Sequence, residues 1–365
     1  MSGPMRCWVE ISRERLAANF QAIRKAVGER VAVMPVVKAD GYRHGAVEVA
    51  QVLTEEGAEW LAVSSVDEGL HLRRHGIGSR VLIMGGVLPW ERALLKEYEL
   101  TPAVHDLAEI GELGEIRYHL KIDSGMGRLG VRATAAQIVE AVRGQAGELE
   151  GLMTHFASSA DFSSPQTELQ AAAFEAVRAA LEASGQAPRY VHMASTNPVI
   201  LPRRQTWQNM VRPGIALYGY WTPGKEAPRP LLEVKPVLSW KASIVLVKDV
   251  ERGSPLGYGA MNWAQRDMRI AVLGIGYADG LPHKLSNRGR VLAGGKAAPI
   301  LGAVSMDLTT IDISHAPELK AGDTVTVIGS EGDVQQDARH VARAAGTITY
   351  AVLCGISSRV KRVYV

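Results

Sequence analysis

Lys38 closes an apolar run, Val36-Val37-Lys38-Ala39-Asp40-Gly41-Tyr42. An amine at the end of such a run loses water, which lowers its pKa and frees its lone pair for Schiff-base chemistry. Most lysines simply reach solvent, so this one gains meaning only from its company. His155 ends a second apolar run, Ser195 and Thr196 end a third, and Arg212 with Gly214 lies in a fourth. A lone histidine there is usually a satisfied core residue, and hydroxyls after a strand are usually caps. Several such ends converging with Lys38 point instead to a site. The backbone N–H groups of Gly214 and Ile215, with the hydroxyls of Tyr42 and Thr196, would suit a dianionic phosphate, which suggests a phosphorylated cofactor.

These side chains need a scaffold that gathers strand ends. Eight apolar runs read as strands: 31–38, 60–65, 80–85, 101–105, 117–123, 149–156, 190–195 and 209–218. Helical period lies between them, clearest over 12–27, where Ser12 can cap the first turn and Leu16, Phe20 and Ile23 share a face. Segments 45–57, 133–146 and 166–184 read alike. Eight βα units close most economically into a (β/α)8 TIM-type barrel, an α/β fold with every helix outside a ring of parallel strands. An open doubly wound sheet is the alternative. After Tyr220 the texture turns to Pro and Gly, then to short alternating strands over 236–250, 268–275, 289–293, 298–303, 307–313, 323–328 and 357–365. The expected division is a barrel domain of residues 1–230 and a mostly β domain of residues 231–365, with residues 1–11 joining the second.

At 365 residues, 47% apolar and 22% charged, the chain has ample material for two cores. Forty-one Lys and Arg against 38 Asp and Glu, without a basic run, do not indicate a nucleic-acid face. No segment reads as a signal peptide or a membrane span, so a cytoplasmic location is expected. Cys7 and Cys354 have no paired spacing for a disulfide framework or zinc, and Cys354 reads as a small buried apolar residue. No metal site is expected.

The segments VVKADGYRHG, HLKIDSGMGRLGV, THFASSAD, NMVRPGIALYG, LGYGA, GIGYADG and VSMD run in order from near residue 5 to the C-terminus. Together they resemble the bacterial alanine racemase family, and they span both expected domains. The resemblance implies a fold-type III enzyme dependent on pyridoxal 5'-phosphate, a homodimer in which each barrel faces the β-domain of its partner. It implies that Lys38 carries the cofactor and serves one face of the substrate, while Tyr258 from the other subunit serves the opposite face. Racemisation removes a proton from one face of a planar carbanion and returns one to the other, hence two bases. The product would be D-alanine for peptidoglycan.

On the same resemblance Tyr42, Ser195, Thr196, Gly214 and Ile215 hold the cofactor, His155 stacks near its ring, and Arg212 faces the pyridine nitrogen with His192 behind it. A guanidinium would not give its proton to that nitrogen. Arg128 would meet the substrate carboxylate beside Lys121, a lysine often carbamylated in relatives. Met306 and Asp307 of the partner would border the pocket, and Tyr277 its entrance. Without the family context, Met306 reads equally well as strand core and Asp307 as a turn residue. The chain departs from the pattern at Ser358, where a tyrosine is expected in the segment 354–359, and at Ala303, where arginine is common. Ser195 and Thr196 depart too, standing where asparagine and serine are usual. Ser358 predicts a larger pocket and turnover of serine beside alanine. A decarboxylase of the same fold type lacks support, because no suitably placed cysteine is present, and a one-domain cofactor-homeostasis protein would have no use for residues 221–365. A non-catalytic cofactor-binding protein of the same fold stays open as the alternative.

Overall fold

The computed structural model describes residues 5–365. Of residues 1–11, expected to join the β-rich part, 1–4 lie outside the described residues. The chain forms two compact units. One comprises Leu16–Gly41 with Ala46–Lys235; the other comprises residues up to Arg15, Tyr42–Gly45 and Pro236–Val365.

Strand β1 (Cys7–Ile11) belongs to the second unit. The first unit holds β2 (Ala32–Val33), β3 (Trp60–Val63), β4 (Arg80–Ile83), β5 (Leu100–Val104), β6 (Tyr118–Lys121), β7 (Leu149–Met153), β8 (Tyr190–His192) and β9 (Met210–Val211). From β3 to β8 each strand pairs in parallel with the next, and β2 pairs in parallel with β9. Val37 N–H donates to Ala62 O at 2.9 Å and Arg212 N–H to Ala194 O at 2.9 Å, which joins β2 to β3 and β8 to β9 and closes the ring. The TIM-type expectation holds over the open sheet. The reason is visible in β3 to β5, whose residues are almost all buried, as strands enclosed on both faces must be.

The helical periods expected at 12–27, 45–57, 133–146 and 166–184 appear as Arg13–Val27, Ala46–Glu55, Ala135–Val142 and Gln166–Ala183. Leu16, Phe20 and Ile23 are buried, and the Ser12 hydroxyl accepts from Arg15 N–H at 3.2 Å. Most of the strands are shorter than expected, β2 and β9 by the most. The ladder of β2 ends at Val33, before the backbone turns near Lys38, and that of β9 ends at Val211, with Ile215 onward folded into turns.

The second unit is built on β10 (Leu238–Val250), β11 (Pro255–Leu256), β12 (Asn262–Trp263), β13 (Met268–Leu273), β14 (Arg290–Ala293), β15 (Lys296–Leu301), β16 (Thr309–Asp312), β17 (Thr324–Glu331), β18 (Val334–Gln336) and β19 (Lys361–Tyr364). Nine strands form one sheet in the order β18-β17-β14-β15-β16-β13-β10-β1-β19, and long β10 also pairs with β17. β11 and β12 form a separate hairpin. Two helices, Ala338–Ala345 and Thr349–Gly355, interrupt what read as strands alone. Each has about two turns, too few for the apolar period to register. Cys354, in the second of them, is half-buried and not the buried residue expected.

Candidate functional site

Lys38 stands at the C-terminal mouth of the barrel, half-buried, where the backbone turns left-handed. Ala39, Asp40, Gly41, Tyr42 and Arg43 have φ of 53, 55, 59, 52 and 65°. Non-glycine residues in that region cost roughly 1–2 kcal/mol each, so the turn must be held by its bonds. Glu68 holds it from one side, accepting from Ala39 N–H at 2.7 Å and Ser64 N–H at 2.7 Å. Asp40 accepts from Ala46 N–H at 2.9 Å, and Gly41 N–H donates to Val37 O at 2.8 Å. The apolar run therefore does not carry Lys38 on as a strand; it delivers the side chain at a rigid corner.

Four cations gather in this unit with few acids among them. Lys121, the last residue of β6, is 5% exposed, and its amine is brought down to about 8 by burial, then by Arg212, Arg128 and Lys38, with Asp123 opposing. Arg212 is buried and brought down to about 9 by that burial. His155 is held neutral at about 3, by burial first and then by Arg212, Lys121, Arg128 and Lys38. Mutually repelling cations of this kind fit a ligand that carries several negative charges. Thr196 opens a short helix after β8, and its Oγ1 accepts from Gly214 N–H at 3.0 Å and Ala216 N–H at 3.3 Å, leaving its own O–H to donate. Gly214's N–H is thus engaged within the chain, where the sequence had offered it to a phosphate. Ser195 stands at the cap position of the same helix, and Ile215 is buried in the turn beyond.

Tyr42 and the remaining predicted residues fall in the second unit. Tyr42 is buried, with its ring centroid 6.1 Å from that of Tyr350. Tyr258 is 76% exposed on a turn between Gly257 (φ 76°) and Gly259 (φ 64°). That turn sits by the Gly302 loop, where a Cβ on Gly302 would meet Leu256 O at 2.6 Å. Met306 and Tyr277 are exposed, while Ser305 O and Met306 O accept from Tyr277 N–H and Ala278 N–H at 2.9 and 3.0 Å. Arg359 bridges Asp279 at 2.7 Å and Asp307 at 2.6 Å, so Asp307 is a fastener of this loop cluster. Ser358 is exposed beside it.

Three residues escaped the sequence reading. His119 lies two before Lys121 and so faces the same side of β6, a period-2 signal that was available. His105 follows β5, and the register Val104↔Leu120 sets it beside Lys121; burial first, then Lys121, lowers it to about 4. Tyr350 left no signal, because only the tertiary fold brings it to Tyr42.

The loop bearing Arg128 hangs on Asp123. Its Oδ1 accepts from the N–H groups of Gly125, Met126 and Gly127 at 3.1, 2.9 and 3.0 Å, and its Oδ2 from Arg132 at 2.8 Å. Burial opposes ionisation, yet the N–H groups of Gly127 and Gly125, then Arg132, hold this carboxyl below its ordinary value. A depressed folded pKa contributes stability above the unfolded value, about 4, and loses it as pH falls further. Asp123→Asn is therefore expected to flatten the acid side of the stability profile, measured by urea midpoints between about pH 3 and 6. Coincident profiles would refute this role.

Among the described residues no helix is long and apolar enough to cross a membrane, and no group of three His, Cys, Asp or Glu could hold a metal. Residues 11–222 match the family model of the alanine racemase N-terminal domain, and residues 237–364 that of the alanine racemase C-terminal domain. An alanine racemase of Halothermothrix orenii is 38% identical over 98% of this chain and 96% of its own length. Among solved structures, an alanine racemase of Clostridium difficile 630 superposes with a TM-score of 0.93 at 32% identity, covering 100% of this chain and 97% of that one. One from Bartonella henselae with covalently bound pyridoxal phosphate gives 0.88 at 26% identity, covering 99% and 100%. With both units matched along their length, the chain belongs to the alanine racemase family of pyridoxal-phosphate-dependent isomerases.

Proposed function

We propose that the chain interconverts L- and D-alanine by a two-base mechanism, supplying D-alanine for peptidoglycan in the cytoplasm. The observation that supports it most is the knot of cations at the barrel mouth, Lys38, Lys121, Arg128 and Arg212, which calls for the phosphate and phenolic oxygens of pyridoxal 5'-phosphate. When bound, that cofactor supplies the electron sink that makes an amino acid's Cα proton labile. Lys38 would hold it through its amine, and Thr196, Ser195, Ile215 and Tyr42 would take the phosphate end, with Gly214 supporting Thr196 through the N–H that its Oγ1 accepts. His155, neutral through burial, would lie along its ring. Arg212 stays protonated at neutral pH even at about 9, so it would donate a hydrogen bond to the ring nitrogen and keep its proton. Arg128 orients the substrate carboxylate. Lys121, with an amine titrating near 8, is open to carbamylation, which would turn a repelling cation into an anion able to hold Arg128.

Lys38 then takes or gives a proton on one face of Cα, and Tyr258 of the partner subunit does so on the other. Exposed Tyr258, Met261, Trp263, Tyr277 and Met306 form an apolar rim that a homodimer would cover, with the partner's Met306 and Asp307 bordering the pocket and the partner's Tyr277 at its entrance. Incubation with L-alanine in deuterated water tests the reading: Cα deuterium must appear as optical rotation disappears. Binding of the cofactor without exchange of any amino acid would favour the non-catalytic alternative.

Turnover of serine rests on Ser358, while Tyr350, its ring centroid 6.1 Å from that of Tyr42, is a further ring beside a residue proposed for the phosphate. The ratio of kcat/KM for alanine and serine should shift toward alanine in Ser358→Tyr. A shift confined to Tyr350→Ser would end the Ser358 account.

A further inference from the structure

Arg212 gives its guanidinium to four acceptors, none of them a carboxylate. Nη1 donates to His192 Nδ1 at 2.8 Å and His192 O at 2.7 Å; Nη2 donates to Thr154 O at 2.6 Å and Met193 O at 3.3 Å. Because a guanidinium only donates, His192 Nδ1 must accept. His192 is fully buried and kept neutral by that burial, then by Arg212 and His119, so its one ring proton sits on Nε2. Nε2 lies 2.9 Å from His119 Nδ1, which must accept in turn and leave His119's proton on its own Nε2. That nitrogen has no hydrogen-bond partner among the described residues, and Glu150 Oε2 lies 4.0 Å from it, within reach of its field and beyond a hydrogen bond.

Glu150 is the one carboxylate on this line, and its side chain is 1% exposed. Arg80 Nη2 meets it at 2.5 Å, with the guanidinium 3.9 Å above the Trp60 ring. Trp60 and Tyr190 flank the His119 ring at 5.1 and 6.1 Å. Gly151 completes the slot, since a Cβ there would come within 2.5 Å of that ring. The imidazole is therefore locked in place, and its remaining freedom is which nitrogen carries the proton.

We propose that Glu150 and His119 are positioning residues for Arg212: the buried carboxylate draws His119's proton to Nε2, and this selects the His192 form able to accept from Arg212. The reverse arrangement shows why the choice matters. With His119 protonated at Nδ1, His192 would carry its proton on Nδ1 and aim an N–H at the guanidinium. Two donors would then face each other in a dry interior, and Arg212 would have to move. The carboxylate reaches Arg212 only through two neutral rings, so it fixes geometry without giving the guanidinium a direct counter-ion.

The inference rests on the function proposed above only where it concerns catalysis. The test uses the full chain with ring-15N histidine, saturated with pyridoxal phosphate and without it. In the parent, both His119 and His192 should show the Nε2–H form. Glu150→Gln should move both protons to Nδ1 and lower kcat about tenfold, with KM changed less than about threefold. Glu150→Asp should restore both readouts. His119→Asn, whose side-chain oxygen can accept from His192 Nε2–H, should keep His192 in its parent form; if Glu150→Gln does not fold, the tautomers of the parent decide the matter. An Nδ1–H form in the parent, or unchanged tautomers in Glu150→Gln, would overturn the proposal even if activity fell. Shifted tautomers with unaltered kcat would overturn it too. A parent that showed the expected tautomers but no racemisation would sink the proposed function and leave the linkage standing.

Discussion

Lys38→Ala is expected to lower kcat/KM for alanine by about 10³-fold or more in both directions, because under the proposed mechanism it removes the anchoring amine and one of two proton carriers together. Lys121 is the nearest substitute by chemistry, but it is buried at the end of β6 among cations that oppose its charge. The variant should still bind the cofactor without a covalent bond, through the groups that meet its charges, above all Arg212 and Thr196. Borohydride reduction followed by intact mass reads this directly: the parent keeps the added mass and Lys38→Ala does not. Retention of covalent cofactor in the variant, or activity within about tenfold of the parent, would remove Lys38 from its assigned place.

Tyr258→Phe is expected to separate the two faces of the reaction. A phenol that carries the proton for the L-isomer contributes about 10²–10⁴-fold to that transfer, and phenylalanine keeps the ring while deleting the carrier. Deuterium exchange into L-alanine should therefore fall by about that factor. Exchange into D-alanine should survive, because under the proposed mechanism Lys38 removes a proton from that face and returns one to it. The readout is Cα exchange with retention of configuration for D-alanine, set beside loss of net racemisation in both directions. Both directions must slow together in the net reaction, since the enzyme cannot alter an equilibrium between mirror images. Equal slowing of exchange into both isomers would contradict the assignment. Tyr258 is 76% exposed on a turn whose flanking glycines take positive φ, so a phenylalanine there should cost the fold little.

Much of the scaffold could be read from the residues in order, because local rules write it. Strands buried on both faces must be continuously apolar, which is why Trp60–Val63 and Arg80–Ile83 stood out; long amphipathic helices such as Gln166–Ala183 repeat their period often enough to be seen. The short helices Ala338–Ala345 and Thr349–Gly355 did not repeat it enough. Lys38 was marked by its place after Val37, yet nothing in Ala-Asp-Gly-Tyr-Arg announces five successive left-handed residues. That conformation is locally unfavourable, and contacts made by Glu68 and Asp40 across sequence gaps sustain it.

The order of the residues determined the α/β class, the strand ends that carry reactive groups, and the motifs that name the family. Those features depend on side-chain type and on spacings of a few residues. Tertiary structure alone decided which charges confront one another. Arg212 acts on Lys121 and on His155 across scores of residues, and Glu150 meets Arg80, 70 positions away, only through the fold. Electrostatic coupling and hydrogen-bond direction act through space at a few ångströms, a distance on which position along the chain has no bearing.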